Sequence, residues 1–241
     1  MRIIRAKDYD KLSKKAASII ASQVILNPES VLGLATGSTP IGTYRELVRM
    51  YNEGIISFKD IITFNLDEYY GLDKGDKQSY SYFMYDKLFN YIDISKNNIN
   101  IPNGKTDDIQ RECHGYENKI KKSGGIDLQL LGIGKNGHIG FNEPDLKFEA
   151  LTHLVKLDKE TIDSNSRFFS SIEEVPKMAI SMGIKTIMHS KKIILLASGE
   201  EKGKVIYEMI YGKITPKLPA SVLQLHPDVT VIVDKEAGYM L

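Results

Sequence analysis

Short apolar runs alternate along the chain with segments in which apolar residues recur every three to four positions. Apolar runs of about four to eight residues are typical of buried strands, and a 3.6-residue period is typical of helices. Six strands are predicted, over residues 30–35, 61–66, 128–133, 151–157, 192–197 and 229–233. Six helices are predicted, over residues 9–26, 40–53, 79–91, 107–122, 176–189 and 200–211. Strands that alternate with helices indicate a parallel sheet covered on both faces.

The composition narrows the class of protein. We predict one α/β domain over residues 1–241, because the chain has no internal repeat, low-complexity linker or clear boundary. Its 32 basic and 31 acidic residues give a net charge of +1 without a long basic run, which argues against a nucleic-acid partner. Cys113 is the only cysteine, and no segment resembles a signal peptide or a membrane span. These features predict a soluble, cytoplasmic protein.

The first loop that follows a predicted strand reads TGSTP, residues 36–40. Ligands of α/β sheets gather at the carboxyl ends of strands, which is where this loop lies. The amides of Gly37, Ser38 and Thr39 can bind an anion there, with Thr36 as a further hydroxyl donor and Pro40 in the first helical turn. The loop lacks the GxxxxGK[ST] pattern of a nucleoside-triphosphate site. A plain capping turn, with Thr39 as the N-cap residue, explains the same residues equally well.

The second loop, FNLDEYYGL, ends a buried strand in two adjacent carboxylates, Asp67 and Glu68. Side chains of neighbouring strand residues point to opposite faces, so one carboxylate can face a ligand while the other forms a structural hydrogen bond. A carboxylate at a strand end can serve as a general base. An ordinary turn residue is the commoner explanation of Asp67 taken alone.

The third loop, GIGKNGHIGFNEP, contains the G-x-G-x-x-G spacing of a dinucleotide-binding turn. Such a turn opens a long helix and usually follows the first strand, whereas this one lies past mid-chain and Pro144 interrupts any helix. The glycines, at positions 132, 134, 137 and 140, instead permit positive φ and close approach to a ligand. They surround His138, a proton carrier near neutral pH whose tautomer Glu143 can fix. Asn136 adds a neutral donor and acceptor.

The motifs ATGSTP, NLDEYYGL, GIGKNGHIGFNEP, NSRFF and LQLHP together resemble the glucosamine-6-phosphate deaminase family in order and spacing. The resemblance extends from about residue 30 to residue 226. It implies a modified Rossmann-like, three-layer fold with a mostly parallel sheet. It also implies conversion of glucosamine 6-phosphate and water to fructose 6-phosphate and ammonia in amino-sugar catabolism, without a cofactor or a metal.

The resemblance assigns roles to individual residues. Asp67 matches the base that moves the C2 proton to C1, His138 the group that opens the sugar ring, and Glu143 its orienting carboxylate. The implied phosphate ligands are Thr36, Gly37, Ser38, Thr39, Arg167 and Lys202. Taken alone, Arg167 and Lys202 would be ordinary surface charges. The five histidines show no metal-binding spacing, and His226 is expected to be structural.

Two departures from the family pattern bear on mechanism and regulation. Better-studied members have aspartate in the ring-opening group where this chain has Asn136, which can hydrogen-bond but adds no negative charge. Allosterically activated members have several basic residues soon after Asn-Glu-Pro and a longer C-terminal tail, whereas residues 145–155 include only Lys147. We therefore expect no activation by N-acetylglucosamine 6-phosphate and no hexamer, but a monomer or another homo-oligomer. Residues 159–175, which include Arg167, are expected to form a lid.

Two alternatives stay open at this point. A 6-phosphogluconolactonase resembles the phosphate loop and the Gly-His turn but generally lacks the Asn-Glu-Pro that follows here. A non-catalytic sugar-phosphate sensor is the second alternative, because some transcriptional regulators use a related domain. The near-neutral charge and the presence of Asp67, His138 and Glu143 favour an enzyme acting on a small molecule, with no membrane or nucleic-acid partner.

Overall fold

The computed structural model describes the backbone of residues 1–241 and every side chain except that of Phe168. Its strands, in chain order, are β1 Arg2–Arg5, β2 Val31–Leu34, β3 Ile62–Asn65, β4 Asp67–Tyr69, β5 Ile99–Asn100, β6 Leu128–Leu131, β7 His153–Lys156, β8 Met178–Ser181, β9 Lys192–Ala197 and β10 Val229–Val233. Seven of them form a parallel sheet in the order β1-β10-β9-β6-β2-β3-β5. The other three form a small antiparallel sheet in the order β4-β8-β7.

Helices cover both faces of the parallel sheet. They are α1 Tyr9–Leu26, α2 Ile41–Asn52, α3 Tyr80–Lys87, α4 Ile109–Lys122, α5 Lys159–Asn165, α6 Ile184–Met188 and α7 Gly203–Tyr211. The core on one face includes apolar side chains of α1, α2 and α3, and the core on the other face includes those of α4, α6 and α7. This is the predicted three-layer α/β fold with a mostly parallel sheet. No helix among the described residues is long and apolar enough to cross a membrane.

The strand β9 shows why the central strands are apolar without interruption. Ile193 and Leu195 pack into one core, whereas Ile194 and Leu196 pack into the core on the opposite face. Successive strand side chains point to opposite faces, so a strand covered on both sides is apolar at every position. The predicted bounds of this strand, of β10 and of α1 agree with the structure.

The helix predicted over residues 176–189 is wrong. This segment contains strand β8, followed after Gly183 by the short helix α6. Short apolar runs suit a strand or a buried helix equally, and here pairing with β4 and β7 decides in favour of the strand. The segment predicted as a strand over residues 151–157 does form β7, but in the antiparallel sheet. Strands β1, β4 and β5 were not predicted.

Two further helix predictions need smaller corrections. The segment 79–91 is divided into α3 and a 3-10 turn at Phe89–Tyr91, and the segment 200–211 begins with the 3-10 turn Glu200–Lys202. Thr39 is not the N-cap residue of α2. That position is taken by Pro40, which has no side chain able to accept from the helix amides.

Candidate active site

A cavity of about 380 Å³ lies at the carboxyl ends of the parallel strands. Its walls come from the loops after β2, β3, β6 and β9, together with α5 and the turn that follows it. All the residues predicted as substrate or phosphate ligands line it: Thr36, Gly37, Ser38, Thr39, Arg167 and Lys202. Asp67, Asn136 and His138 line it too, and Glu143 lies behind His138. The fold thus brings together residues that are up to 166 positions apart in the chain (36 and 202).

The loop after β2 is shaped to bind an anion. Gly37 has a φ of 94°, which favours glycine. The amides of Gly37, Ser38 and Thr39 donate no hydrogen bond to the described residues. The hydroxyl of Tyr9 holds the loop from α1, because it donates to the carbonyl of Thr39 at 3.0 Å and accepts from the amide of Gly42 at 2.8 Å. Free amides at a helix N-terminus form a ready anion site.

Two cations lie at the same end of the cavity. The Arg167 guanidinium donates to Ser38 Oγ at 3.1 Å. Burial lowers the pKa of Lys202 to about 8, and the neighbouring Glu201 opposes this shift. Lys135 pairs with Glu201 at 2.7 Å. An amide-lined loop flanked by Arg167 and Lys202 is suited to a phosphate group.

The adjacent carboxylates Asp67 and Glu68 point in different directions, as strand alternation predicts. Glu68 accepts hydrogen bonds from three backbone amides at the start of α3 and in β4, each at 2.8 Å, from Tyr69, Tyr80 and Ser81. Asp67 lines the cavity and is 5% exposed, and no hydrogen bond from the described residues reaches its carboxylate. Burial, reinforced by the charge of Glu68, raises the pKa of Asp67 to about 8. A carboxylate in this state is a much stronger base than an exposed one.

The orientation of His138 is set by a group of three oxygen atoms around its Nδ1. Asn136 Oδ1 lies at 2.8 Å, Glu143 Oε2 at 3.3 Å and Thr161 Oγ1 at 3.4 Å. Two of these atoms can only accept, so Nδ1 carries the proton in the neutral ring. Nε2 then has a free lone pair. The histidine is therefore prepared to take a proton at Nε2.

Glu143 is the buried carboxylate that this arrangement depends on. Asn136 Nδ2 donates to its Oε2 at 2.9 Å, and the amide of Asp158 donates to its Oε1 at 3.3 Å. Burial opposes ionisation, but the favourable interactions with His138, Thr161 and Asn136 outweigh it and leave the pKa of Glu143 below its ordinary value. The carboxylate is therefore ionised at neutral pH. Its contact with His138, at 3.3 Å, is longer than that of Asn136, at 2.8 Å.

Comparison with known proteins identifies the family. The family model described as glucosamine-6-phosphate isomerases/6-phosphogluconolactonase matches residues 6–232. The chain belongs to this family.

Individual relatives match over the whole chain. A glucosamine-6-phosphate deaminase of Clostridium botulinum (strain Kyoto / Type A2) is 64% identical over 241 residues, which are 100% of this chain and 99% of the relative. One of Clostridium acetobutylicum is 60% identical and covers 100% of both chains. A solved structure described as a monomeric glucosamine-6-phosphate deaminase is 47% identical, with a TM-score of 0.98 and full coverage of both chains.

A more distant solved structure has a similar fold. The 6-phosphogluconolactonase from Trypanosoma cruzi is 22% identical, with a TM-score of 0.79 over 100% of this chain and 96% of its own. The fold is therefore similar although most of the sequence differs.

The cavity residues that were not predicted from the sequence include Tyr80 and Thr161. Tyr80 lines the cavity and stacks on Phe141 with ring centroids 5.8 Å apart. Thr161 carries no local signal, because it lies within a polar helical segment. Its position becomes visible only when α5 folds over the loop after β6.

The glycines of GIGKNGHIG are required for different structural reasons. Gly137 and Gly140 have positive φ, at 85° and 57°, but Gly132 and Gly134 do not. Gly134 is needed for space, because a Cβ there would lie 2.3 Å from Cε1 and Nδ1 of the His138 ring. The G-x-G-x-x-G spacing thus accommodates a histidine in this loop.

Proposed function

We propose that the protein is a glucosamine-6-phosphate deaminase, which converts glucosamine 6-phosphate and water to fructose 6-phosphate and ammonia. Relatives of that name match its full length at 60–64% identity. The observation that carries the proposal is the content of one cavity: a buried carboxylate, an oriented histidine and, at the far end, an anion-binding loop with two cations. Each part corresponds to one requirement of the reaction.

Binding begins at the phosphate. The amides of Gly37, Ser38 and Thr39, with Arg167 and Lys202, hold the phosphate and so fix the position of the sugar carbons. Anchoring the far end of a substrate makes the chemical steps effectively intramolecular. The amino group and C1 then lie toward Asp67 and His138.

Ring opening is the first chemical step. His138 takes the proton of the O1 hydroxyl at Nε2 while the C1–O5 bond breaks, and it returns that proton to O5. Asn136 and Glu143 hold Nδ1–H during both transfers. The product is the open-chain aldehyde, in which the C2 proton becomes acidic because it lies beside a carbonyl group.

Isomerisation and deamination follow. Asp67 removes the C2 proton while the aldehyde oxygen O1 takes up a proton, which gives an enolamine with a hydroxyl at C1. Asp67 then delivers its proton to C1 while the nitrogen gives one up in place of the proton gained by O1, so that the C2–nitrogen bond becomes an imine. Water adds to the imine, and ammonia leaves with fructose 6-phosphate. The burial that makes Asp67 basic also excludes water from its carboxylate, which favours proton transfer between the carboxylate and carbon. Two proton transfers at different atoms thus require two separate groups.

We further propose that one chain suffices for this activity and that it acts in the cytoplasm. Both proton carriers and the phosphate site belong to the same chain, and phosphorylated sugars do not cross membranes freely. Sedimentation of the purified protein at the concentration used in the activity assay measures whether the active species is a single chain. A dimer that loses activity when diluted to monomers would contradict it.

The function is tested by supplying glucosamine 6-phosphate to the purified protein and measuring ammonia and fructose 6-phosphate. We expect the two products in equal amounts, and no acceleration of 6-phosphogluconolactone hydrolysis. Enzymatic opening of the lactone without ammonia release would overturn the proposal in favour of a lactonase. Binding of the sugar phosphate without either reaction would favour a sensor.

The pH dependence of kcat/KM is expected to be a narrow bell centred near pH 8. Asp67 must be ionised to act as a base, so its raised pKa of about 8 places the acid limb there. Lys202 loses its charge as the pH rises through about 8, which weakens phosphate binding on the alkaline side. Rates measured at constant ionic strength from about pH 6 to 10 report these pKa values of the free enzyme.

The Lys202→Met variant distinguishes the contribution of Asp67 to the pH profile from that of Lys202. It should raise KM and remove the alkaline limb while leaving the acid limb in place. Lys204→Met is the matched control, because the side chain of Lys204 is 80% exposed and outside the cavity. An acid limb with its midpoint near pH 4 would mean that Asp67 behaves as an exposed carboxylate.

Gly134→Ala is expected to lower kcat by about 100-fold, the order of loss that a displacement of about 1 Å can cause. The new Cβ would overlap the His138 ring, so the imidazole must move away from Asn136 and the substrate. Gly115→Ala in α4 is the control, because a Cβ there meets no atom within 4 Å. Unchanged kcat in Gly134→Ala would show that the position of the ring is not critical.

A further inference from the structure

The first turn of α5 contacts the residues that orient His138, although it comes from a different part of the chain. Thr161 is 3% exposed, and its Oγ1 lies 3.4 Å from His138 Nδ1. Its hydroxyl also lies close enough to Glu143 to help lower the pKa of that carboxyl. The amide of Asp158, just before the helix, donates to the other oxygen of Glu143 at 3.3 Å. Helix α5 and its N-cap residue thus provide one donor to this carboxylate, from Asp158, and one hydroxyl beside it, from Thr161.

The other end of the same element contacts the phosphate loop. Helix α5 continues directly into the 3-10 turn Ser166–Phe168, where Arg167 donates to Ser38 Oγ at 3.1 Å. Asn165, at the end of the helix, donates to the hydroxyl of Tyr69 at 2.9 Å. The residue that contacts the His138 group and the residue that contacts the phosphate loop, Thr161 and Arg167, are therefore only six positions apart in the chain.

We propose that Thr161 is a positioning residue for ring opening, and that α5 couples phosphate binding to the orientation of His138 through it. This inference rests on the proposed function of the same cavity. Phosphate holds Arg167, which fixes α5 against the cavity and keeps the Thr161 hydroxyl on Glu143. Glu143 and Asn136 then hold Nδ1–H, so Nε2 stays free to accept the proton of O1.

The geometry explains why a hydroxyl is needed at this position. Thr161 Oγ1 can donate its proton to Glu143 and still present a lone pair to His138 Nδ1–H. A valine has the same shape but provides neither bond, which leaves a buried carboxylate short of a donor. In the valine variant, the binding energy gained at the substrate phosphate then no longer helps to orient His138 at the reacting end of the sugar.

The kinetic test compares Thr161→Val with Thr161→Ser, which keeps the hydroxyl. Thr161→Val should lower kcat for ammonia release about tenfold, the size expected for a lost hydrogen bond to a buried charge, while KM changes much less. Thr161→Ser should restore most of kcat. Ser166→Ala is the control, because Ser166 directly follows the same helix but does not line the cavity, and its hydroxyl donates to the carbonyl of Asp163 at 2.7 Å. Equal losses in the valine and serine variants would indicate a packing role and overturn the proposal.

The second test follows the His138 ring by nitrogen NMR, with inorganic phosphate as the probe. His138→Gln identifies its signals among those of the five histidines. Phosphate should increase the fraction of rings with the proton on Nδ1 in the wild type and in Thr161→Ser, but not in Thr161→Val. Failure of phosphate to change the wild-type ring signals would overturn the coupling. This test uses no sugar substrate, so its outcome is independent of whether ammonia is released, and the wild-type result stands even if a variant does not fold.

Discussion

Asp67→Asn is expected to reduce kcat for ammonia release by about three orders of magnitude, within the ~10²–10⁴-fold range of a positioned base. Asparagine keeps the shape of the side chain but cannot accept the C2 proton. KM should stay close to the wild-type value, because Asp67 lies away from the phosphate ligands. The measurement is steady-state ammonia release at saturating substrate, and Asp60→Asn at an exposed position is the control. Activity within tenfold of the wild type would exclude Asp67 as the carbon base.

The same substitution is expected to stabilise the fold. The pKa of Asp67 is raised from 3.8 to about 8 on folding, so between these values the unfolded chain binds fewer protons than the native protein. The free energy of unfolding of the wild type therefore falls as the pH rises through this window. Asp67→Asn removes this loss, so its Tm should exceed that of the wild type by a margin that grows from about pH 4 to 8 and is constant above. For a chain of this size each kcal/mol corresponds to about 2–4 °C. Equal Tm values at pH 8 would show that ionised Asp67 is not destabilising.

His138→Gln is expected to reduce kcat by about 10²–10³-fold, because ring opening then depends on uncatalysed proton transfer. Glutamine preserves hydrogen-bonding capacity but cannot take up a proton. Small imidazole buffers, which catalyse ring opening in solution, should partly restore the rate of this variant but not that of Asp67→Asn. The control is His153→Gln, since the ring of His153 contacts the carbonyl of Leu151 at 2.9 Å and lies outside the cavity. A rate close to the wild type in His138→Gln would remove the histidine from the mechanism.

The sequence predicted the strands that form the centre of the fold, because strands covered on both faces are apolar without interruption. It did not predict β4 and β5, which are three and two residues long. Strand β4 consists of Asp67, Glu68 and Tyr69 and has no apolar alternation to detect. Strand β8 was interpreted as helix, since only its pairing with β4 and β7 distinguishes the two. The missing information is long-range pairing, which local periodicity does not contain.

The sequence predicted which residues lie in the candidate site more completely than it predicted the secondary-structure elements of the fold. Except for Glu143, which lies behind His138, the residues predicted from motif positions line one cavity, because parallel strands place their carboxyl ends at the same edge. Their catalytic and binding roles stay predictions. The sequence did not show that Asn136 makes the shortest contact with His138, or that Thr161 joins the same group from α5. Both facts depend on side-chain rotamers and on how α5 folds back over the loop after β6.

Interconversion of the α and β anomers of glucosamine 6-phosphate tests the central claim, that His138 opens the ring and Asp67 moves the carbon-bound proton. Magnetisation transfer between the anomeric proton signals measures this rate without any need for product formation. Open-chain sugar released from the protein closes to both anomers, so Asp67→Asn should accelerate interconversion above the buffer rate while its ammonia release stays about three orders of magnitude below that of the wild type. His138→Gln should give only the buffer rate. Equal rates in the two variants, or no acceleration by Asp67→Asn, would contradict the division of the reaction between these residues.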